Sequence, residues 1–275
     1  MPDLQDPGHF IVVIPSRYAS SRLYGKPLKD IAGRPMIEHV WRLACQSAAA
    51  RVIIATDDER IAASARGFGA EVVMTAADHE NGTARLEEVA RHLALPADTC
   101  IVNVQGDEPL LPPELIDLVA ASLARNENAS IATLAEPITS ISTLARPSVV
   151  KVVRDIQGRA LYFSRAPIPW QRDQWGEQGP CDTAAAQDTL PAADSQDHGW
   201  LRHVGLYGYR ASFLYEYARW KTAPQEALEQ LEQLRALYHG HQIQVEVTSV
   251  EYPAGVDTAE DLERVRGIFS AFNDS

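Results

Sequence analysis

The run Phe10-Ile-Val-Val-Ile14 constrains this chain more than any other stretch. It is apolar throughout and rich in β-branched residues, as expected of a strand buried on both faces in a parallel sheet. Pro15 ends it. The loop that follows carries Arg17, Arg22, Lys26 and Lys29, and it has no acidic residue before Asp30. In a chain of formal charge -12, four uncompensated cations in one loop stand out. Open α/β sheets bind their ligands in loops at the carboxyl ends of parallel strands. Gly25 allows close backbone approach, and the cations suit a polyphosphate. A solvated basic loop paired with acidic surface elsewhere is the alternative. The loop is not a Walker A motif, because Pro27 follows Lys26 where Ser or Thr is needed, and no GxGxxG occurs in it.

The same strand pattern recurs. Arg51-Val-Ile-Ile-Ala-Thr56, Glu71-Val-Val-Met-Thr75, Thr99-Cys-Ile-Val-Asn-Val104 and Ala129–Ala135 all read as short strands. Amphipathic stretches separate them. Ile37, Val40, Trp41 and Ala44 share one helical face after Pro35. Leu86, Val89, Ala90 and Leu93 share another, and residues 112–125 read as a third helix. Strand and helix in alternation predict a doubly wound, mostly parallel sheet. Asp57-Asp58 can touch a ligand or cap the next helix. Gln105-Gly-Asp-Glu108 follows a central strand, where a carboxylate can hold Mg²⁺ on a nucleotide or simply cap a turn.

Past residue 137 the pattern changes. Val149–Arg154 and Ala160–Phe163 flank a Gln157-Gly158 turn and read as a hairpin. Ser164–Trp170 is extended and rich in proline. Residues 173–198 are polar and aperiodic, as in a mobile loop. Arg202–Arg210 reads as a strand. Thr222-Ala-Pro-Gln225 has the form of a capping box opening a helix over Glu226–Tyr238, with Leu228, Leu231, Leu234 and Tyr238 as its buried stripe. Ile243–Val250 is a further strand. A final helix runs from Ala259 to about Phe272, with Asp257 or Thr258 as its cap.

Composition sets bounds. At 275 residues and 45% hydrophobic, the chain can bury a sizeable core. The expected organisation is a flexible 1–9, then one domain over 10–272. Within it, residues 137–220 contribute a smaller mixed α/β lobe for substrate and dimerisation. The acidic balance argues against nucleic acid as a partner. No stretch approaches the roughly 20 apolar residues of a membrane helix, so no membrane insertion is expected. The N-terminus lacks the basic and apolar regions of a secretion signal, and three widely spaced cysteines suggest reduced thiols, so a cytoplasmic setting is expected. Cys45 and Cys100 lie in apolar patterns and read as core.

With these stretches assembled, the chain resembles the 3-deoxy-manno-octulosonate (Kdo) cytidylyltransferases. The matching pieces are IPSRYASSRLYGKPL (14–28), ATDDERIA (55–62), VNVQGDEPL (102–110), ALYFSRAPIPW (160–170), LRHVGLYGYR (201–210), LEQLEQLR (228–235) and GVDTAEDLERVR (255–266). The first is shared with many nucleotidyltransferases, while the others in combination are far more specific. Tyr24 and Ala84 depart from the family pattern, which has Pro and an acid there, and residues 173–198 look longer than in relatives. The resemblance implies a Rossmann-like nucleotidyltransferase fold. The implied reaction is transfer of CMP from CTP to the anomeric hydroxyl of Kdo with loss of pyrophosphate, for lipopolysaccharide synthesis. It implies Arg17 and Lys26 on the triphosphate with Arg22 assisting, and Asp107 and Asp257 on a catalytic Mg²⁺. Arg165, His203, Tyr207, Glu232, Gln233 and Gln105 fall to the Kdo pocket. His203 taken alone reads instead as a core histidine. The family is dimeric, so a homodimer is expected. The rivals are a CMP-sialate synthetase, another sugar nucleotidyltransferase, and a non-catalytic nucleotide-binding domain.

Overall fold

The structure is a computed structural model that describes residues 9–19, 23–79, 81–173, 175, 179–180, 190 and 199–273. It divides into two compact units. The first takes in residues up to Arg125, Leu206–Arg219 and the chain from Tyr252 onward. The second comprises Asn126–Gly205 and Trp220–Glu251.

The first unit opens with β1 (Ile11–Ser16), and a short hairpin, β2 (Asp30–Ile31) and β3 (Arg34–Pro35), leads into α1 (Met36–Ala44). The chain continues through β4 (Arg51–Thr56), α2 (Glu59–Gly67), β5 (Glu71–Met74), α3 (Gly82–His92), β6 (Cys100–Asn103) and α4 (Pro113–Arg125). β1 lies between β4 and β6, and β4 pairs with β5, all in parallel. Val12, Val13 and Ile14 have no accessible surface. α1, α3 and α4 pack on this sheet. The predicted alternation therefore describes this unit, and its consequence is spatial. Successive parallel strands deliver the loops after β1, β4 and β6 to one edge of the sheet.

The second unit begins with β7 (Ala129–Pro137) and α5 (Ile141–Ala145), followed by the hairpin β8 (Lys151–Arg154) and β9 (Ala160–Ser164). β10 (Leu201–Arg210) starts here against β8 and ends in the first unit, antiparallel to β6. After α6 (Ala211–Tyr217) come α7 (Pro224–Glu229), α8 (Gln233–Tyr238) and β11 (Gln242–Val247), the last parallel to β7. α9 (Ala259–Asn273) closes the chain.

Three expectations are corrected. The single helix predicted over Glu226–Tyr238 is two, because Gln230 adopts a left-handed conformation at φ 53° and ends α7. The predicted stripe is thus split: Leu231 and Leu234 are buried, but Leu228 is 86% exposed and Tyr238 57%. Ala223 rather than Thr222 occupies the cap position of α7, and the Glu226 carboxylate accepts its N–H at 3.0 Å. Cys45 is exposed, just past the end of α1, while Cys100 is partly covered. The segment 1–8 and most of the expected 173–198 loop lie outside the described residues.

Candidate active site

Loops from three places in the sequence converge at the carboxyl edge of the first unit's sheet. Gly25 takes φ +66°, which a side chain rarely adopts, and opens a short 3-10 turn over Lys26–Leu28. That turn aims the Lys26 ammonium inward. It donates to Asp107 Oδ2 at 2.5 Å, to Asp257 Oδ1 at 3.2 Å and to the Val256 carbonyl at 2.9 Å. Two carboxylates so close would repel, and the ammonium between them offsets that. The two carboxylate loops are also joined directly, since Val256 N–H donates to the Asp107 carbonyl at 2.8 Å. Gly106 allows a similar approach to β1, because a Cβ there would lie 3.0 Å from the Pro15 carbonyl.

The result is a cavity of about 260 Å³ lined by Ser16, Arg17, Lys26, Gln105, Asp107 and Asp257 among others. Arg17 is held at its rim by donating to the His79 carbonyl at 2.6 Å. Arg22, predicted to assist, lies outside the described residues.

The two ambiguous acid pairs resolve by their partners. Asp58 caps α2 by accepting the Arg60 N–H at 2.9 Å, which leaves Asp57 out of the cap. Thr258 caps α9, exchanging hydrogen bonds with Asp261 at 3.2 and 3.0 Å, so Asp257 faces the site. Glu108 does not compete with Asp107. The residue keeps some exposed surface, but its carboxyl is enclosed and accepts from the Tyr252 hydroxyl, and that burial pushes the carboxyl up to about 8, so it is largely neutral at pH 7.

In the second unit, Arg165 follows β9 and spends its guanidinium on backbone. Nε donates to the Glu229 carbonyl at 2.6 Å, Nη1 to that of Pro147 at 3.0 Å and Nη2 to that of Gln230 at 3.4 Å. The Glu229 carboxylate in turn accepts from Ser164 Oγ at 2.6 Å and from the Arg165 N–H at 2.9 Å. Arg165 is thereby tied to the break that presents Glu232 and Gln233 at the start of α8. Tyr207 belongs to the first unit, stacked on Tyr209 at 5.7 Å.

A cytidylyltransferase family model matches residues 11–243. The 3-deoxy-manno-octulosonate cytidylyltransferase of Chromohalobacter salexigens is 57% identical over 260 residues, covering 94% of this chain and 96% of its own. The enzyme of the same name from Pseudomonas fluorescens is 53% identical over 95% of this chain and 98% of its own. The chain belongs to the 3-deoxy-manno-octulosonate cytidylyltransferase family. A solved CMP:2-keto-3-deoxy-manno-octonic acid synthetase complexed with CTP is 38% identical, with a TM-score of 0.81 over 95% of this chain and 98% of that one. A Leptospira borgpetersenii cytidylyltransferase, 15% identical at a TM-score of 0.59, shares the fold.

Within this cytidylyltransferase, sequence reasoning passed over a buried polar group at the same sheet edge. Ser16 Oγ, Asp57 Oδ1, Asn103 Oδ1 and Arg85 Nε and Nη2 are buried and have no hydrogen-bond partner among the described residues. They sit at the ends of β1, β4 and β6 and in the first turn of α3. Buried polar atoms normally find partners, so such a group is suited to an incoming ligand. Arg85 is the extreme case. It has no accessible surface, donates to Thr75, and keeps Nη2 3.6 Å from Asp57 Oδ2. A sequence clue existed in Asp57, weighed as ligand or cap, but nothing in the pattern marked Arg85.

His203 lies beside Phe163, ring centroids 5.0 Å apart, with Nε2 3.0 Å from Thr133 Oγ1. The residue keeps some exposed surface, but the imidazole itself is enclosed, and that burial pushes it down to about 3. It is neutral at pH 7. The unfolded chain takes up this proton near pH 6.5, well before the folded one does, so the stabilisation from neutral His203 is complete above that pH. It is lost as the pH falls from about 6.5 toward 3. Urea midpoints compared between pH 7 and pH 4 should therefore drop less in His203→Gln than in wild type. Equal drops would remove His203 from the acid sensitivity.

Proposed function

We propose that this chain transfers CMP from CTP to the anomeric hydroxyl of Kdo, releasing pyrophosphate and activating the sugar for lipopolysaccharide synthesis. The observation that carries the reading is the Lys26 ammonium bonded to both Asp107 and Asp257 in one cavity, in a family with a member solved with CTP. Arg17 and Lys26 supply the charge for the triphosphate, with Arg22 assisting. The buried polar group around Asn103, Asp57 and Arg85 supplies donors and acceptors for the nucleoside.

The donor set also fits Mg²⁺. This ion takes one or two protein carboxylates and completes its shell with phosphate oxygens and water, and Asp107 and Asp257 are two carboxylates drawn to one cation. When bound, Mg²⁺ neutralises phosphate oxygens and lowers the pKa of a coordinated hydroxyl. The chain's own part is electrostatic and positional. Lys26 holds the β- and γ-phosphates, Arg17 orients the triphosphate, and Gln105 lines the cavity where the acceptor reaches the α-phosphorus.

In the second unit Arg165 suits the Kdo carboxylate. Its bonds are to neutral carbonyls, which leave its positive charge uncancelled. Tyr207, Glu232 and Gln233 suit hydroxyls, whereas the enclosed His203 ring, bonded to Thr133 and packed on Phe163, fits its reading as a core histidine better. The enzyme is proposed to be cytoplasmic and homodimeric. Among the described residues, no helix is long and apolar enough to cross a membrane. Leu161 and Tyr162 on β9, with Ile156 in the turn before it, expose apolar surface that a second copy of the chain could cover.

The test is pyrophosphate release from CTP, with and without Mg²⁺, across Kdo, N-acetylneuraminate and a sugar 1-phosphate. Release with Kdo alone, and only with metal, is expected. Release with another acceptor would keep the phosphate site and reject the sugar pocket. CTP binding without release would favour a non-catalytic role. Light scattering should give a dimer mass for wild type and a monomer for Leu161→Asp. A wild-type monomer would reject the dimer.

A further inference from the structure

The phosphate loop is gripped from outside by three side chains that take no part in the chemistry above. Tyr18 follows Arg17 directly. Its carbonyl accepts the Gly25 N–H at 3.2 Å, and a Cβ on Gly25 would lie 3.1 Å from its hydroxyl oxygen. The Tyr18 ring thus packs on the residue immediately before Lys26. Tyr24 meets that ring edge-on, with centroids 5.1 Å apart. On the other side, the Arg60 guanidinium carbon lies 3.3 Å from the Tyr18 ring centroid. Arg60 is itself oriented, since Nε and Nη2 donate to the two Asp58 carboxylate oxygens at 2.9 and 2.6 Å. Asp58 is the cap of α2, so the grip is anchored to a helix end.

From this geometry we infer that Arg60, Tyr18 and Tyr24 form a latch that sets CTP affinity by holding Arg17 and Lys26 in their binding positions. None of the three is placed to touch the reacting atoms, so they are positioning residues. Between its two cations the loop carries a glycine in the left-handed region, and Leu23 packs against the core cluster around Ile31 and Val256, so the aromatic contacts at positions 18 and 24 are a second anchor on its other end. A planar cation over one ring face and an aromatic edge against the ring are the attractive arrangements for a quadrupole. Together they close positions 18 and 24 onto α2. Binding then avoids the cost of ordering the loop, which appears in the CTP affinity rather than in the chemical step. The inference rests on the reading of this loop as the triphosphate site.

The experiment compares Arg60→Ala, Tyr24→Ala, their combination and Tyr24→Phe. Each is assayed for KM of CTP, KM of Kdo and kcat at saturating CTP, and CTP binding is measured in parallel by calorimetry. Arg60→Ala should weaken CTP about two- to fivefold and Tyr24→Ala about two- to tenfold, the ranges expected of an exposed cation–π contact and of an aromatic pair. The combination should be no worse than the stronger single change, because both act through Tyr18. Tyr24→Phe keeps the ring and should stay near wild type. kcat and the KM of Kdo should hold within about twofold, since the latch acts on binding and not on the transition state. An unchanged KM of CTP in both single variants would overturn the latch, as would additive effects or all constants falling together with the melting temperature. Wild type that fails to bind CTP would reject the triphosphate reading and the latch with it. Wild type that binds normally while the variants match it would reject the latch alone.

Discussion

Asp107→Ala is expected to lose about a thousandfold in kcat, or ~4 kcal/mol of transition-state stabilisation, while staying folded. Asp107 is one of two carboxylates around Lys26, and its side chain is only 28% exposed. Removing it leaves Lys26 bonded to Asp257 and the Val256 carbonyl, so no buried charge is stranded and the melting temperature should barely move. Asp257→Ala should behave in the same way. The double variant should be little worse than either, because groups that act as one unit fail together. Glu108 provides the internal control. Its carboxyl is largely neutral at pH 7, so Glu108→Gln replaces one neutral group with another of similar shape and should keep most activity. Turnover measured across a Mg²⁺ titration checks all four. An Asp variant whose turnover follows the wild-type curve across the whole Mg²⁺ titration is not a metal ligand.

The largest effect on stability is expected at Glu226→Ala. Glu226 and Arg235 form a two-pronged pair, Nε to Oε2 at 2.7 Å and Nη2 to Oε1 at 2.5 Å, with both side chains 8% exposed. The alanine would leave a buried guanidinium without its counter-charge, a loss of about 3–5 kcal/mol. It would also remove the carboxylate that caps Ala223, which adds roughly 1 kcal/mol. Replacing both partners by Met should cost less than the single change, since no charge is then stranded. Urea denaturation measures the difference. A loss below about 1 kcal/mol would mean that Arg235 is solvated well enough to stand alone.

The first unit was legible because its strands are buried on both faces. Such strands need apolar runs such as Phe10–Ile14 and Ile53–Ala55 whatever lies beside them, and the loop after each run is then bound for the ligand edge. Charge did the rest at Arg17 and Lys26, since four like charges in an acidic chain have few structural uses. The end of a central strand already offered a carboxylate of Asp107 or Glu108 to a metal, but the choice of Asp107 and the role of Asp257 came through the family resemblance. Residue by residue, either could have been a cap. Tertiary structure gave the cap of α9 to Thr258 and drew Asp257, 150 residues from Asp107, to the same Lys26 ammonium.

The second unit shows where sequence alone stops. The 3.6-residue period over Glu226–Tyr238 carries no information about a break at Gln230, because the break is held by partners distant in sequence. Arg165 binds the Glu229 and Gln230 carbonyls, and Ser164 binds the Glu229 carboxylate. Arg85 was invisible for the same reason. An arginine in the first turn of an amphipathic helix reads as surface, and only the packed fold shows it fully buried beside Asp57. The sequence by itself thus determined the strands, their order of burial and the cationic loop, all of which follow from local period and charge. The tertiary structure decided which polar groups meet, because hydrogen-bond partners are chosen in space and leave no periodic trace in the chain.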